Sequence, residues 1–359
     1  MKIKFLKASK GDCFIISFKD KSNVNRNILI DGGMAETYYD SASNRDGELK
    51  TEIERIKKNH EKVDLLILTH IDNDHISGLI NWFKLDPEAY MLIGEVWFNS
   101  GKLIAEFFKL QPNEDLDIKF KIFNTTETGV SEAVEFERYL LDNKIWERIL
   151  IRKGMTFSEL DVKIDILSPE KKQLKRLLKV FKEKTGDDTY TSGQGKDWNE
   201  SLKSLIQKET PKETYRKQEY SPANCSSITF ILTINGRSFL FLADGNAIKI
   251  ANAIKEKGYN KLNPLPVEFM KVSHHGSRNN TCKKLLEIVK TDNYLISTDS
   301  SSHGHPHKLT IARIISNNPN ANFHFNYKHV KDSIFSKQDF VDYKSFKAFV
   351  NTEFIYDNE

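Results

Sequence analysis

The sequence predicts an α/β fold in four layers, two β-sheets packed face to face with helices outside (αββα) and a helical and loop region inserted between the halves. Three observations carry this expectation. Short apolar runs at 27–31, 63–69, 238–244 and 267–273 each end at or beside ionisable residues, as buried strands delivering polar side chains to one sheet edge would. Both halves follow one order: hairpin, carboxylate-glycine turn, helix, strand, ligand cluster. A chain of 359 residues is long for one domain, but such a sandwich with an insertion holds it as one unit.

Taken in order, residues 13–18 and 27–31 read as strands joined by a polar loop, and 47–59 as a charged amphipathic helix leading to a strand at 63–69. The second half opens on strands at 227–234 and 237–244 around Asn235-Gly236, the strongest short hairpin signal; a helix at 247–257 and a strand from Val267 follow. Between the halves this rhythm is lost. Helices are expected at 132–141 and 170–184 and a strand at 160–167, while the polar stretch 186–220 reads as a surface loop or as a lid over the site. The expected organisation is 1–98 for the first half of the core, 99–223 for the insertion and 224–359 for the second half.

Composition narrows the function classes. A net charge of +4 gives no global field for nucleic acid, so any such binding must come from a local patch. Cys13, Cys225 and Cys282 are odd in number and widely spaced, which suits neither a disulfide framework nor a cysteine zinc site. Charges interrupt the first residues, and no run of about 18 apolar residues occurs, so a cytoplasmic protein without a membrane span is expected.

The densest chemistry lies at His70-Ile71-Asp72-Asn73-Asp74-His75, where four ionisable groups would repel or waste solvation unless a divalent cation gathers them. Asp244-Gly245 and His274-His275-Gly276-Ser277 end two later strands in the same manner, and Asp31-Gly32-Gly33 closes an earlier one. His305 and His307 flank Pro306 before the apolar-periodic run 309–315, which suggests proline at a first helical position and an imidazole facing the site.

The order D-G-G, H-x-D-x-D-H, D-G, H-H-G resembles the metallo-β-lactamase-fold superfamily of hydrolases. Asp72 stands where that pattern has a second histidine, and Asn224 in Asn224-Cys-Ser226-Ser227 where it has a middle one. Both departures, with the terminal Gly304-His305-Pro306-His307 and the early Gly11-Asp12, resemble the soluble hydrolase domain of the competence protein ComEC. The resemblance implies two divalent cations, Mn²⁺ or Zn²⁺, with Mg²⁺ also compatible with an oxygen-rich shell. His70, Asp72 and a bridging Asp244 would hold the first; Asp74, His75, Asp244 and His274 the second. Asp74, His305 and His307 are the expected catalytic residues, the two histidines as general acid or phosphate donor. Asp31, Asn224, His275, Ser277 and Arg278 are expected to orient ligands or substrate, with Ser277 and Arg278 opening a helix whose N–H groups suit a phosphate.

These readings converge on a phosphodiesterase, most simply a nuclease acting on nucleic acid or a nucleotide through a metal-bridging hydroxide. Arg278, Lys271 and basic residues between 171 and 217 are the expected phosphate contacts. Stand-alone relatives of this type resemble effectors of bacterial defence systems, which implies a partner protein and leaves the oligomeric state open. The competing readings are a metallo-hydrolase of small esters, lactams or thioesters, and a non-catalytic binding module that retains the fold.

Overall fold

Strand alternation and helical periodicity sort the apolar residues into three buried layers. The structure, a computed structural model, describes residues 1–110, 128–183, 196–209 and 221–357. Much of the stretch 186–220, read above as a loop or lid, therefore lies outside the described residues.

The first half forms β1 (Lys2–Phe5), β2 (Phe14–Lys19), β3 (Asn25–Ile30), a short ribbon of β4 (Tyr39–Asp40) and β5 (Arg45–Asp46), α1 (Glu48–Lys58), β6 (Val63–Ile67), α2 (Asn73–Leu85) and β7 (Ile93–Trp97). Helices α3 (Gly101–Phe107), α4 (Thr128–Asp142) and α5 (Lys171–Glu183) and the hairpin of β8 (Thr156–Glu159) and β9 (Val162–Ser168) follow, with α6 (Leu202–Lys208) and α7 (Pro222–Cys225) behind them. The second half gives β10 (Thr229–Ile234), β11 (Arg237–Phe241), α8 (Ala247–Glu256), β12 (Leu265–Pro266), β13 (Met270–Lys271), α9 (Lys283–Leu286), β14 (Val289–Lys290), β15 (Asn293–Ile296), α10 (Lys308–Asn317), β16 (Asn322–Phe325), α11 (Lys328–Ile334), α12 (Lys337–Asp342), β17 (Lys347–Val350) and β18 (Glu353–Ile355).

A six-stranded sheet runs β18-β1-β2-β3-β6-β7 and an eight-stranded sheet runs β17-β16-β15-β13-β11-β10-β9-β8. In each, an antiparallel hairpin passes into parallel strands: β3 to β6 to β7 in the first, β11 to β13 to β15 to β16 in the second. Side chains alternate accordingly. Ile28 and Ile30 face the other sheet and pack with Phe5, Phe14, Phe230 and Phe241, whereas Leu29 faces the helices with Ile53, Ile56, Leu79 and Trp82. On the second sheet Leu232 points between the sheets, and Ile231 points outward to the layer of Ile250, Ile254, Ile311 and Ile315. Helix, sheet, sheet, helix is thus the direct result of strands buried on both faces.

The described parts of the insertion pack on this core. β8 and β9 extend the second sheet beside β10, and α4 and α5 bury Phe136, Leu140, Leu174 and Leu178 in the outer layer of the first. The strand expected at 160–167 begins later, at Val162, because Leu160 and Asp161 form the hairpin turn at φ of 54° and 61°. No glycine or asparagine marks that turn. The strand expected from Val267 pairs only at Met270–Lys271.

One buried ion pair ties the second helical layer together. The Lys308 ammonium and the Asp339 carboxylate meet at 2.7 Å with both side chains fully buried, and Asp339 also caps α12 and accepts from the Leu202 amide. Lys308→Met leaves that carboxylate buried without its cation, and should lower stability by about 3–5 kcal/mol. Urea unfolding of the variant checks this, and a midpoint within error of wild type would refute it.

Candidate metal centre

The polar groups singled out in the sequence leave the carboxyl ends of β3, β6, β11, β13 and β15, where open α/β sheets place ligands. Asp31 follows β3 at φ 56° and anchors two histidines. Its carboxylate accepts from the Thr69 amide, the Thr69 hydroxyl and His75 Nδ1, each at 2.8 Å, and Thr69 Oγ1 lies 3.0 Å from His70 Nδ1. Both rings therefore carry their proton on Nδ1 and turn Nε2 toward the site. Asp72, at the N-cap of α2, makes no capping bond and lies 3.7 Å from His70 Nε2.

The second half meets this cluster at Asp244. Its carboxylate lies 3.8 Å from Nε2 of His70, 3.6 Å from that of His75, 3.5 Å from that of His274 and 3.6 Å from that of His275. His275 Nε2 is also 3.3 Å from Asp74. Each of these last two rings is pinned through Nδ1, His274 to Asn280 Oδ1 at 3.2 Å and His275 to the Ser297 carbonyl at 2.9 Å. Asn280 holds its own orientation by donating to the Asp244 and Gly245 carbonyls. His274, His275 and Gly276 occupy positive φ at 49°, 53° and 87°, a strained turn of the kind that clusters at functional sites.

Close backbone contact fixes the rest. Gly11 sits so near the Asp74 carbonyl that a Cβ there would lie 1.7 Å from its oxygen, and the Asp12 amide donates to that oxygen at 3.2 Å. Gly78 lets α2 approach the Asp31-Gly32-Gly33 turn in the same way, its missing Cβ falling 1.9 Å from the Gly32 carbonyl.

Among the described residues four overlapping groups have ligand atoms within 4.8 Å of one another: His70, His75 and Asp244; Asp74, His75 and His275; Asp12, Asp244 and His275; and Asp12, Asp31 and His75. His70 Nε2, His75 Nε2, His275 Nε2 and Asp244 Oδ1 are buried and have no hydrogen-bond partner among the described residues, a costly arrangement that a cation would relieve. The charges agree. Partial burial and then the Asp74 and Asp244 carboxylates push Asp72 up to about 7. Burial acts against a charged His75, yet Asp31 and Asp244 outweigh it and hold its pKa well above the usual value. Burial likewise opposes ionised Asp244, but His274, His275 and His75 hold it well below the carboxylate range. Protons on histidine thus supply positive charge that metal ions would bring. The imidazole and carboxylate donors, with no thiolate among them, fit divalent cations.

Asn224 is buried on α7, and the chain after it bonds to the strand end bearing His70, Ile228 N to the Thr69 carbonyl at 2.9 Å. His305 is buried with its ring 4.9 Å from that of His274 and 5.1 Å from that of His307. His307 Nδ1 accepts from the Arg278 amide at 3.3 Å.

Three expectations need correction. Pro306 is not a first helical residue: α10 begins at Lys308 with His307 at its N-cap, because Asp197 caps it from outside, accepting from the Lys308 and Leu309 amides at 2.6 and 3.1 Å. Ser277 and Arg278 open no helix, since the chain continues through a turn to α9; Ser277 is buried and the Arg278 amide is taken by His307. Lys271 cannot reach a phosphate, because it is buried and its ammonium is paired with Asp12.

Sequence reasoning missed that pair and the strap from the insertion. Asp12 reaches toward His275 Nδ1, 3.4 Å away; the family resemblance marked Gly11-Asp12 but gave Asp12 no partner. The Trp198 indole donates to the Pro306 carbonyl at 2.8 Å, so residues 197 and 198 hold the His305–His307 turn; nothing in their polar surroundings marks them.

Residues 9–147 match the model of the metallo-beta-lactamase superfamily. The two-sheet architecture of the described chain is the metallo-β-lactamase fold. A solved structure of a CmlA beta-hydroxylase mutant is similar over 98% of this chain, at 10% identity and a TM-score of 0.38. This chain spans 53% of that protein's length. No curated protein matches the chain. Among the described residues no helix is long and apolar enough to cross a membrane.

Proposed function

We propose that the chain is a divalent-metal-dependent phosphodiesterase acting on nucleic acid. The observation that carries this reading is the convergence of four Nε2 atoms on Asp244, with overlapping ligand groups around it. Two adjacent cations fit such a set: His70, Asp72 and Asp244 for one, and Asp74, His75, His275 and Asp244 for the other. His275 is preferred to His274 here because its Nε2 also reaches Asp74. When bound, the metals supply an activated water and electrostatic stabilisation of the phosphoryl oxygens. The chain itself orients them, Asp31 through His75 and Thr69, and Ser297 through His275, while His305 and His307 offer N–H groups at the edge of the site. The motif order shared with the ComEC hydrolase domain supports a phosphodiester over a lactam or thioester.

The test is incubation of the protein, loaded in turn with Mn²⁺, Mg²⁺ and Zn²⁺, with single-stranded and duplex DNA, RNA and bis(p-nitrophenyl) phosphate. Metal-dependent cleavage of phosphodiesters is expected. Turnover confined to uncharged esters or lactams would replace this reading.

Loading should depend on pH. Asp72 in the metal-free site is protonated below about 7, and a ligand must lose its proton to bind. Metal affinity should therefore rise as pH is raised through about 7, with proton release in titration calorimetry; pH-independent affinity would mean Asp72 is no ligand.

A further inference from the structure

Helix α5 buries one face and turns a lysine-rich face to solvent. Leu174, Leu177, Leu178 and Phe181 are buried in the outer core, while Lys171, Lys172, Lys175 and Lys179 are exposed. Lys171, Lys175 and Lys179 recur every four residues, which stacks their charges about 6 Å apart along the axis. Like charges at this spacing weaken a helix. Several lysines elsewhere pair, Lys57 with Asp86, Lys153 with Glu256, Lys249 with Glu170 and Lys257 with Asp165. Among the residues whose side chains are described, no carboxylate lies within 4.0 Å of the four α5 lysines.

Aromatic rings lie beside these cations. Lys171 stands 5.3 Å from the centroid of Phe107 and Lys175 4.8 Å from that of Phe108, and Arg152 approaches Phe107 at 5.8 Å. Phe107 is exposed. α5 packs against α3, which ends in Phe107, and against α7, which carries Asn224 toward the His70 strand end.

We propose that this face of α5, with Arg152 and Phe107, is a track for one strand of nucleic acid leading to the metal centre. A row of cations follows phosphates, and a solvent-facing ring offers a surface on which a base stacks. A lipid surface fits less well, because the apolar face of α5 is already used inside the core. That the track leads to cleavage rests on the phosphodiesterase reading; the binding does not.

Binding of a labelled single-stranded oligonucleotide to the metal-free full chain tests it without requiring hydrolysis. Lys171→Gln, Lys172→Gln, Lys175→Gln and Lys179→Gln combined should weaken binding and flatten the salt dependence by roughly 3 in logarithmic slope, at about 0.7 per phosphate contact. A charge-matched control with Lys19, Lys58, Lys62 and Lys344 changed to glutamine should bind nearly as wild type. Phe107→Leu should weaken binding roughly fivefold or more at unchanged slope. Equal weakening in the control, an unchanged slope in the α5 variant, or tighter binding of anionic vesicles than of the oligonucleotide would overturn the proposal. A wild-type protein that binds the strand but cleaves no phosphodiester under any metal would sink the hydrolase reading and leave the track standing.

Discussion

Asp244→Ala should abolish turnover, lowering kcat by about 10³-fold or more, while the protein stays folded. Loss of several kcal/mol of metal-derived stabilisation corresponds to that factor, at about 1.4 kcal/mol per tenfold. Asp244 lies within 3.8 Å of the Nε2 atoms of His70, His75, His274 and His275, so its removal strips both proposed cation sites of the carboxylate they share. Metal content should fall with activity. The fold should persist because the substitution relieves a buried charge and opens no gap in the phenylalanine-rich layer between the sheets. Elemental analysis alongside circular dichroism decides the matter: a variant that keeps two equivalents of metal and wild-type turnover would remove Asp244 from the centre.

His305→Ala and His307→Ala should each lower kcat by about 10²–10³-fold, the usual cost of losing one preorganised donor, with metal content unchanged. The environment selects the role. Burial, then His274 and His307, keep the pKa of His305 well below that of a free imidazole, and burial, then Arg278, bring His307 down to about 3. Both rings are therefore neutral at working pH. Because His307 Nδ1 accepts from the Arg278 amide, its proton sits on Nε2. A neutral N–H donates a hydrogen bond to a phosphoryl oxygen but is a poor general acid. The losses should accordingly be equal on p-nitrophenyl and alkyl phosphodiesters, and the pH profile should show no step from either ring near 6.5. A smaller loss on the activated ester would restore the general-acid role, and loss of metal would make the residue a ligand.

The ligand cluster was legible because its grammar is local. An apolar strand followed at once by Asp or His fixes the side chain at a sheet edge, and repetition of that pattern at Asp31, His70, Asp244 and His274 implied one shared edge. Local reading placed His274 on the second cation and His275 beside it, whereas positive φ at both residues turns both Nε2 atoms toward Asp244 and only that of His275 also toward Asp74. Local reading also failed to place Lys271, which looks like any basic residue on a strand until Asp12, 259 positions away along the chain, is folded onto it. The start of α10 was misread for the same reason: the cap comes from Asp197, far outside the helix. The Leu160-Asp161 turn had no glycine to announce it.

The proposed ligands come from both sheets, His70, Asp74 and His75 from the first and Asp244 and His275 from the second. A cation held between them would act as a cross-link, and thermodynamic linkage would make it part of the folding free energy. Free metal at about a hundred times its dissociation constant would add about 2.7 kcal/mol, and a chelator would withdraw it. Such a protein would be less stable, though still folded, when metal is scarce, and would be cleared sooner, so its amount in a cell would follow the supply of the ion.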